Sequence, residues 1–97
     1  MMNPSNLRDT IERKLKDGLA AEHLTLVDES WKHAGHAGAA LGGGHFILTV
    51  VSPQFEGINL LDRNRLVYGL LKNEMGGAIH ALAIRAISPS EWHSGRR

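Results

Sequence analysis

Apolar residues recur every fourth position at the start of the chain, and charged side chains fill most positions between them. The apolar series is Leu7, Ile11, Leu15 and Leu19. Such a repeat is typical of an amphipathic helix that buries a narrow stripe. Asn3 followed by Pro4 is a capping residue before a proline in the first helical turn. The pattern therefore predicts a helix from Pro4 to about Leu19.

Three later segments have the composition of β-strands. From His23 to Ser30, leucines alternate with Thr25 and Val27, which predicts a strand with one buried face. The run HFILTVVS at 45–52 is almost entirely β-branched or aromatic, so it predicts a central strand. A third strand is predicted for IHALAIRAI at 79–87. Because the first two strands are joined directly, we expect them to be antiparallel.

Two more helices are predicted after the second strand. The first runs from about Leu60 to Met75 and is ended by the glycine pair at 76–77. Its expected buried face consists of Leu66, Val67, Leu70, Leu71 and Met75. The tetrapeptide SPSE at 88–91 is a capping box that opens a short last helix. We expect this helix to return Trp92 to the core.

The predicted order is αββαβ with a short C-terminal helix, in one domain over residues 1–97. Strands two and three flank a helical crossover, so they should be parallel and the three-stranded sheet mixed. With both long helices on one face, the fold class is α+β, a two-layer sandwich. Residues 31–44 contain five of the 11 glycines, and they are expected to form a flexible loop. Residues 93–97 are expected to be a frayed tail.

Composition excludes several classes of function. The 97 residues contain 11 Lys and Arg against 10 Asp and Glu, and the net charge of +1 gives no broad footprint for nucleic acid. The absence of cysteine excludes disulfides, a Cys nucleophile and a thiolate metal site from this chain. No nucleophile elbow or phosphate loop is present, so we do not expect an enzyme. With no apolar leader or spanning run, the expectation is a soluble, cytoplasmic protein without membrane association.

Histidine is unusually frequent, with six in the chain. The predicted topology gathers four of them at one edge of the sheet, where strands two and three both begin. These four are His33, His36, His45 and His80. Imidazole binds zinc, iron, copper and nickel well. A histidine at a strand start is commonly only hydrogen-bonded, and the loop histidines are equally consistent with solvated loop. No stand-alone zinc pattern is present, so a half-site completed by a partner fits better than a complete site.

Several short segments, in this order and spacing, resemble the BolA-like protein family. They are DES at 28–30, HAGH at 33–36, HF at 45–46, VS at 51–52, FEG at 55–57, RNRLVY at 63–68, HAL at 80–82, Pro89, and EW at 91–92. Each segment is weak alone, but together they span almost the whole chain. The resemblance implies a fold similar to a type II KH domain, with the same αββαβ order.

The resemblance also implies a function. In this family a [2Fe-2S] cluster is shared with a monothiol glutaredoxin, whose cysteine and bound glutathione supply thiolates while the BolA-like chain supplies nitrogen ligands. One of these ligands is the histidine at the start of the third strand, which matches His80. The other lies in the loop between the first two strands. Counting back from His45 favours His36, and counting forward from the DES segment gives His33 as the alternative; we prefer His36.

The expected role is thus a non-enzymatic adaptor in iron–sulfur trafficking or in iron or redox sensing, with no cluster on the isolated chain. The family also suggests a second function, a nucleic-acid-binding transcriptional regulator, for which DNA is the candidate partner. Its candidate phosphate contacts are Arg63, Arg65 and Lys72 on the second long helix. The family usually carries Arg-His-Arg where this chain has Asn64 between its two arginines. Asparagine keeps a hydrogen-bonding group there but loses titration and ligation.

Overall fold

The computed structural model of the protein describes residues 4–29 and 44–95. Its elements are α1 (Pro4–Leu19), β1 (His23–Asp28), β2 (Gly44–Val51), a 3-10 turn (Pro53–Phe55), α2 (Leu60–Leu70), β3 (Ile79–Ile87) and α3 (Pro89–His93). This order matches the predicted one. Apart from Gly44, which begins β2, the predicted flexible loop at 31–44 lies outside the described residues. Of the predicted tail at 93–97, His93 closes α3, and residues 96–97 lie outside the described ranges.

The three strands form one mixed sheet in the order β1-β2-β3. β1 and β2 are antiparallel, with Leu26 opposite Leu48. β2 and β3 are parallel, with Leu48 opposite Ile84. The sheet is therefore the predicted one, and its parallel half brings the starts of β2 and β3 to the same edge.

Both long helices pack on the same face of this sheet. The core joins the α1 stripe to inward side chains of the sheet and of α2, and its fully buried members include Ile11, Leu15, Leu48, Val50, Phe55, Val67, Leu71 and Ile79. On β1, Leu24 and Leu26 face this core, while Thr25 and Val27 are exposed on the other face. The two-layer α+β fold is confirmed. Among the described helices, none is both long enough and apolar enough to cross a bilayer.

The second long helix is shorter than predicted, because it ends at Leu70 rather than Met75. Leu71 caps it, and residues 72–74 turn instead of continuing the helix. The prediction that Leu66 is buried was also wrong, since its side chain is 37% exposed. The turn is stabilised by a backbone bond from Ile79 N–H to the Glu74 carbonyl (2.8 Å), a contact with β3 that helical periodicity does not reveal.

Trp92 does not return to the core as predicted. It is half-buried, and its ring stacks on His23 with centroids 4.7 Å apart. The register places His23 beside Val51, and Val51 beside Ile87, on the sheet face opposite the long helices. Val51 and Ile87 are buried but lie outside the main core cluster. Trp92 therefore lies at that end of the sheet face opposite the long helices where Val51 and Ile87 are buried.

Candidate functional site

His80 occupies an irregular position at the start of β3. Gly44 pairs with Ile79, but the next residue of β2, His45, pairs with Ala81. His80 is therefore the extra residue of a β-bulge, with no partner of its own in the ladder. Bulges re-aim a side chain and are frequent at sheet edges and beside active sites. The His80 side chain is exposed at this edge of the sheet.

Hydrogen bonds to three neighbouring parts of the fold position the backbone around His80. Gly44 N–H donates to the Ala78 carbonyl (2.9 Å), and Ile79 N–H donates to the Glu74 carbonyl (2.8 Å). The Glu74 side chain, which is only 9% exposed, accepts from Lys14 Nζ at 2.8 and 3.0 Å. These bonds tie the start of β3 to β2, to the preceding turn and to α1. The position of His80 is thus fixed before any ligand binds.

The structure brings His45 next to His80, as the topology predicted. The two ring centroids are 5.0 Å apart, with a tilt of 39° between the planes. His45 is half-buried and His80 is exposed. The predicted loop ligands His36 and His33 lie outside the described residues. Among the described residues there is no group of three or more His, Cys, Asp or Glu side chains placed to hold a metal ion.

The donor set at this edge fits the shared [2Fe-2S] cluster that the resemblance implies. Such a cluster takes four ligands, and imidazole replaces thiolate on one iron of a Rieske centre. His80 meets this requirement, because it presents an exposed imidazole on a hydrogen-bonded backbone at the edge of the sheet. His45 adds a second imidazole within the same small region, so it is a further candidate for contact with a bound group.

Arg63, the first candidate for nucleic acid, is engaged inside the fold. Its guanidinium donates to the Ile58 carbonyl (2.7 Å), the Ala86 carbonyl (3.0 Å) and the Glu91 carboxylate (2.7 Å). Its side chain is only 12% exposed. This geometry makes Arg63 the link between α2, β3 and α3, with few donors left for a phosphate.

The bond from Arg63 also controls the charge of Glu91. Together with the Ser88 backbone N–H, which closes the predicted capping box, the Arg63 guanidinium lowers the pKa of Glu91 to about 2. A second carboxylate holds the same helix, since Glu56 accepts from the Ser90 backbone N–H and hydroxyl at 2.9 Å each. These two bonds to Ser90 lower the pKa of Glu56. The short α3 is anchored by both carboxylates.

The other residues of the predicted nucleic-acid surface are more accessible. Arg65 is 71% exposed and makes an ion pair with Asp62 at 3.3 Å, and Lys72 is exposed just beyond the end of α2. Between the two arginines, Asn64 is half-buried, and among the described residues its Oδ1 atom is buried without a hydrogen-bond partner. The structure thus separates Arg63 from the two exposed cations.

The sequence predicts His80 as a candidate ligand, but it does not reveal the groups that position this residue. The bulge depends on a one-residue shift between β2 and β3, which no periodicity marks. Lys14 was interpreted only as part of the charged face of α1. Its partner Glu74 is 60 residues away in sequence, so the pairing of the two becomes visible only in the folded chain.

Comparison with known proteins gives a consistent result. The model of the BolA-like protein family matches residues 15–91. The human protein named BolA-like protein 1 is 45% identical over 82 residues, which are 84% of this chain but 58% of the human protein. The chain therefore spans less than two thirds of that relative.

Two further relatives extend the comparison. The DNA-binding transcriptional regulator BolA of Escherichia coli is 36% identical over 86 residues, covering 89% of this chain and 79% of the regulator. The solved BolA domain of SufE1 from Arabidopsis thaliana superposes with a TM-score of 0.76 at 38% identity. That superposition covers 94% of this chain and 99% of the Arabidopsis domain.

Proposed function

We propose a function from the premise that this chain belongs to the BolA-like protein family, which the match over residues 15–91 and the 45% identity to a human member establish. The chain is a non-enzymatic adaptor that shares a [2Fe-2S] cluster with a monothiol glutaredoxin. Its role lies in iron–sulfur trafficking or in iron and redox sensing. The observation that carries the proposal is the exposed, bulged His80 at the edge where β2 and β3 begin.

The proposed ligand set divides between two proteins. His80 and one loop histidine, His36 or alternatively His33, supply nitrogen, while the glutaredoxin and its glutathione supply two thiolates. When bound with imidazole ligands, the cluster has a higher reduction potential than an all-thiolate one. Because only neutral imidazole binds a metal, cluster ligation through imidazole is sensitive to pH.

The two kinds of histidine have different tasks. His80 needs little ordering, since the hydrogen bonds around Glu74 and Ala78 already fix its backbone. The half-buried His45 beside it narrows the space that a bound group can occupy. We expect His45 to orient the site and His80 to ligate.

The proposal is tested by mixing this chain with a monothiol glutaredoxin, glutathione, ferric iron and sulfide without oxygen. The expected result is a one-to-one complex whose visible circular dichroism differs from that of the glutaredoxin homodimer, with no stable cluster on this chain alone. A stable coloured cluster on the isolated chain, or no spectral change on mixing, would contradict the proposal.

DNA binding is the second candidate, and the name of the Escherichia coli relative favours it. In this chain it would depend on the exposed Arg65 and Lys72, because Arg63 is occupied by its three internal hydrogen bonds. Each phosphate-binding cation that is replaced should reduce the slope of log affinity against log salt by about 1. For this candidate, an Arg65→Gln, Lys72→Gln double variant with an unchanged salt slope would exclude these two cations as phosphate contacts.

A further inference from the structure

A row of polar side chains crosses the open face of the sheet, away from the histidine edge. Thr25 of β1 lies opposite Thr49 of β2, and Thr49 lies opposite Arg85 of β3. Because alternate residues of a strand point to the same face, all three belong to the face that the long helices leave uncovered. They line one cavity of about 300 Å³ together with His23 and Trp92.

Arg85 carries the one permanent charge among the described residues that line this cavity. Its side chain is exposed, and among the described residues it makes no hydrogen bond or ion pair. Thr49 likewise has no side-chain hydrogen bond within the described part of the chain. An arginine fork beside a free hydroxyl is the donor arrangement that binds phosphate or carboxylate oxygens.

The other wall of the cavity is aromatic. His23 and Trp92 stack at 4.7 Å with an angle of 26° between their planes. Thr25 Oγ1 lies 3.0 Å from Nε2 of the imidazole, and this hydrogen bond favours one orientation of the His23 ring. Flat aromatic surfaces favour planar ligand groups, which stack on them or meet their edges.

The carboxylate of Glu22, the residue before His23, is engaged elsewhere. It lies 3.6 Å from His93 Nε2 and does not line the cavity. Within residues 4–29 and 44–95, the cavity therefore offers an unpaired cation, free hydroxyl capacity and an aromatic wall on a single concave surface.

We propose that this cavity binds a small molecule that carries an oxyanion, either phosphate or carboxylate, on a planar ring. Arg85 and Thr49 take the oxyanion, and the His23–Trp92 wall takes the ring. This site is distinct from the histidine edge and does not depend on the adaptor function.

The test is a titration of ¹⁵N-labelled protein followed by two-dimensional NMR, with four probes. AMP joins phosphate to a planar base, benzoate joins carboxylate to a ring, and inorganic phosphate and adenosine each supply only one half. We expect AMP or benzoate to give saturable shifts at Arg85, Thr49 and the Trp92 indole. AMP and benzoate together show whether phosphate or carboxylate is preferred.

Two variants make the result specific. Arg85→Gln should weaken the binding by at least about tenfold, which corresponds to about 1.4 kcal/mol, because it removes a charge-assisted hydrogen bond to the oxyanion. Arg13→Gln, which removes an exposed arginine on the helical layer, should leave the affinity unchanged. Because Arg85 has no internal partner among the described residues, its replacement should not affect folding, and the spectrum of the free variant verifies this.

Three outcomes would overturn the proposal. One is the absence of saturable shifts at this cavity up to about 10 mM, where a millimolar Kd would already saturate the signal. Another is that inorganic phosphate or adenosine binds as tightly as AMP, because the site would then not require a ring joined to an anion. The third is equal loss of affinity in Arg85→Gln and Arg13→Gln, which would indicate a nonspecific charge effect.

Discussion

At the level of single residues, the start of β2 at the bulge depends on Gly44, which pairs with Ile79 immediately before His80. A Cβ atom added to Gly44 would overlap the ring of Phe46, which is itself only 5% exposed. Phe46 belongs to the core, so it cannot move aside freely. Because Gly44 has no side chain, the first residue of β2 can lie against the buried ring of Phe46 and still pair with Ile79.

Gly44→Ala should destabilise the protein by about 1–3 kcal/mol, the usual cost of overpacking a core. It should also shift the NMR signals of His80 across the bulge. Gly69→Ala is the matched control, because a Cβ there meets nothing within 4 Å. Gly69 is the penultimate residue of helix α2, so this change should raise stability by at most about 0.5–1 kcal/mol. Equal urea midpoints for the two variants would refute the steric role of Gly44.

The Glu91 carboxylate gives a pH-dependent contribution to stability. Its folded pKa of about 2 lies below the ordinary 4.5, because Arg63 and the Ser88 N–H bind the charged form. The contribution is therefore complete above about pH 4.5 and is lost as the pH falls toward 2. It is modest, since the side chain is 40% exposed and screened by solvent.

Glu91→Gln should consequently lower the free energy of unfolding near neutral pH, and the difference from the unsubstituted protein should shrink below pH 4.5. Urea titrations at several pH values measure this difference. A difference that stays constant from neutral to acidic pH would contradict the assigned pKa shift.

At the scale of elements, both edge strands are protected by side chains from the helices. Glu29 N–H bonds to the His45 carbonyl, so the carbonyl of Leu26 points outward from β1, where Arg8 binds it at 2.6 Å. On β3 the outward carbonyls of Leu82 and Ala86 accept from Tyr68 (3.2 Å) and Arg63 (3.0 Å). Exposed edges otherwise pair with other chains.

Tyr68→Phe removes one of these donors while keeping the ring. We expect a loss of about 1 kcal/mol in stability and more self-association when it is combined with Arg8→Gln. Urea denaturation and sedimentation at increasing protein concentration measure the two effects. If the double variant sediments like the unsubstituted chain at every concentration, edge protection is not the function of these bonds.

The elements also show where sequence reasoning succeeds. β-Branched or apolar composition predicted β2 and β3, and periodicity predicted α1 and β1, whose burial follows a four-residue repeat and an alternation. The same periodicity made the predicted α2 too long, because Leu71 and Met75 continue the apolar pattern. The chain instead turns at Glu74, which is bound by Lys14 and by the backbone of Ile79. The bulge at His80 was not predictable for the same reason, since it depends on contacts distant in sequence.

At the level of the whole molecule, the residues that stabilise the fold and the residues proposed to bind ligands lie in different parts of the structure. The helical layer buries the core and, through Lys14 and Glu74, fixes the start of β3. The histidine edge and the opposite face carry the exposed groups that we propose bind ligands, His80 at the edge and Arg85 on the face. This separation predicts that ligand-site variants at exposed positions change binding while leaving folding intact.

Ligation by His80 is tested most sharply by the visible circular dichroism of the glutaredoxin complex formed with His80→Ala, compared with His93→Ala as an exposed-histidine control. We expect His80→Ala to abolish the histidine-ligated spectrum and to keep its fold. His36→Ala should weaken the cluster less, because His33 is three residues away, and replacing both loop histidines should match His80→Ala. An unchanged spectrum and chelator half-life in His80→Ala, or unfolding of that variant, would contradict the assignment.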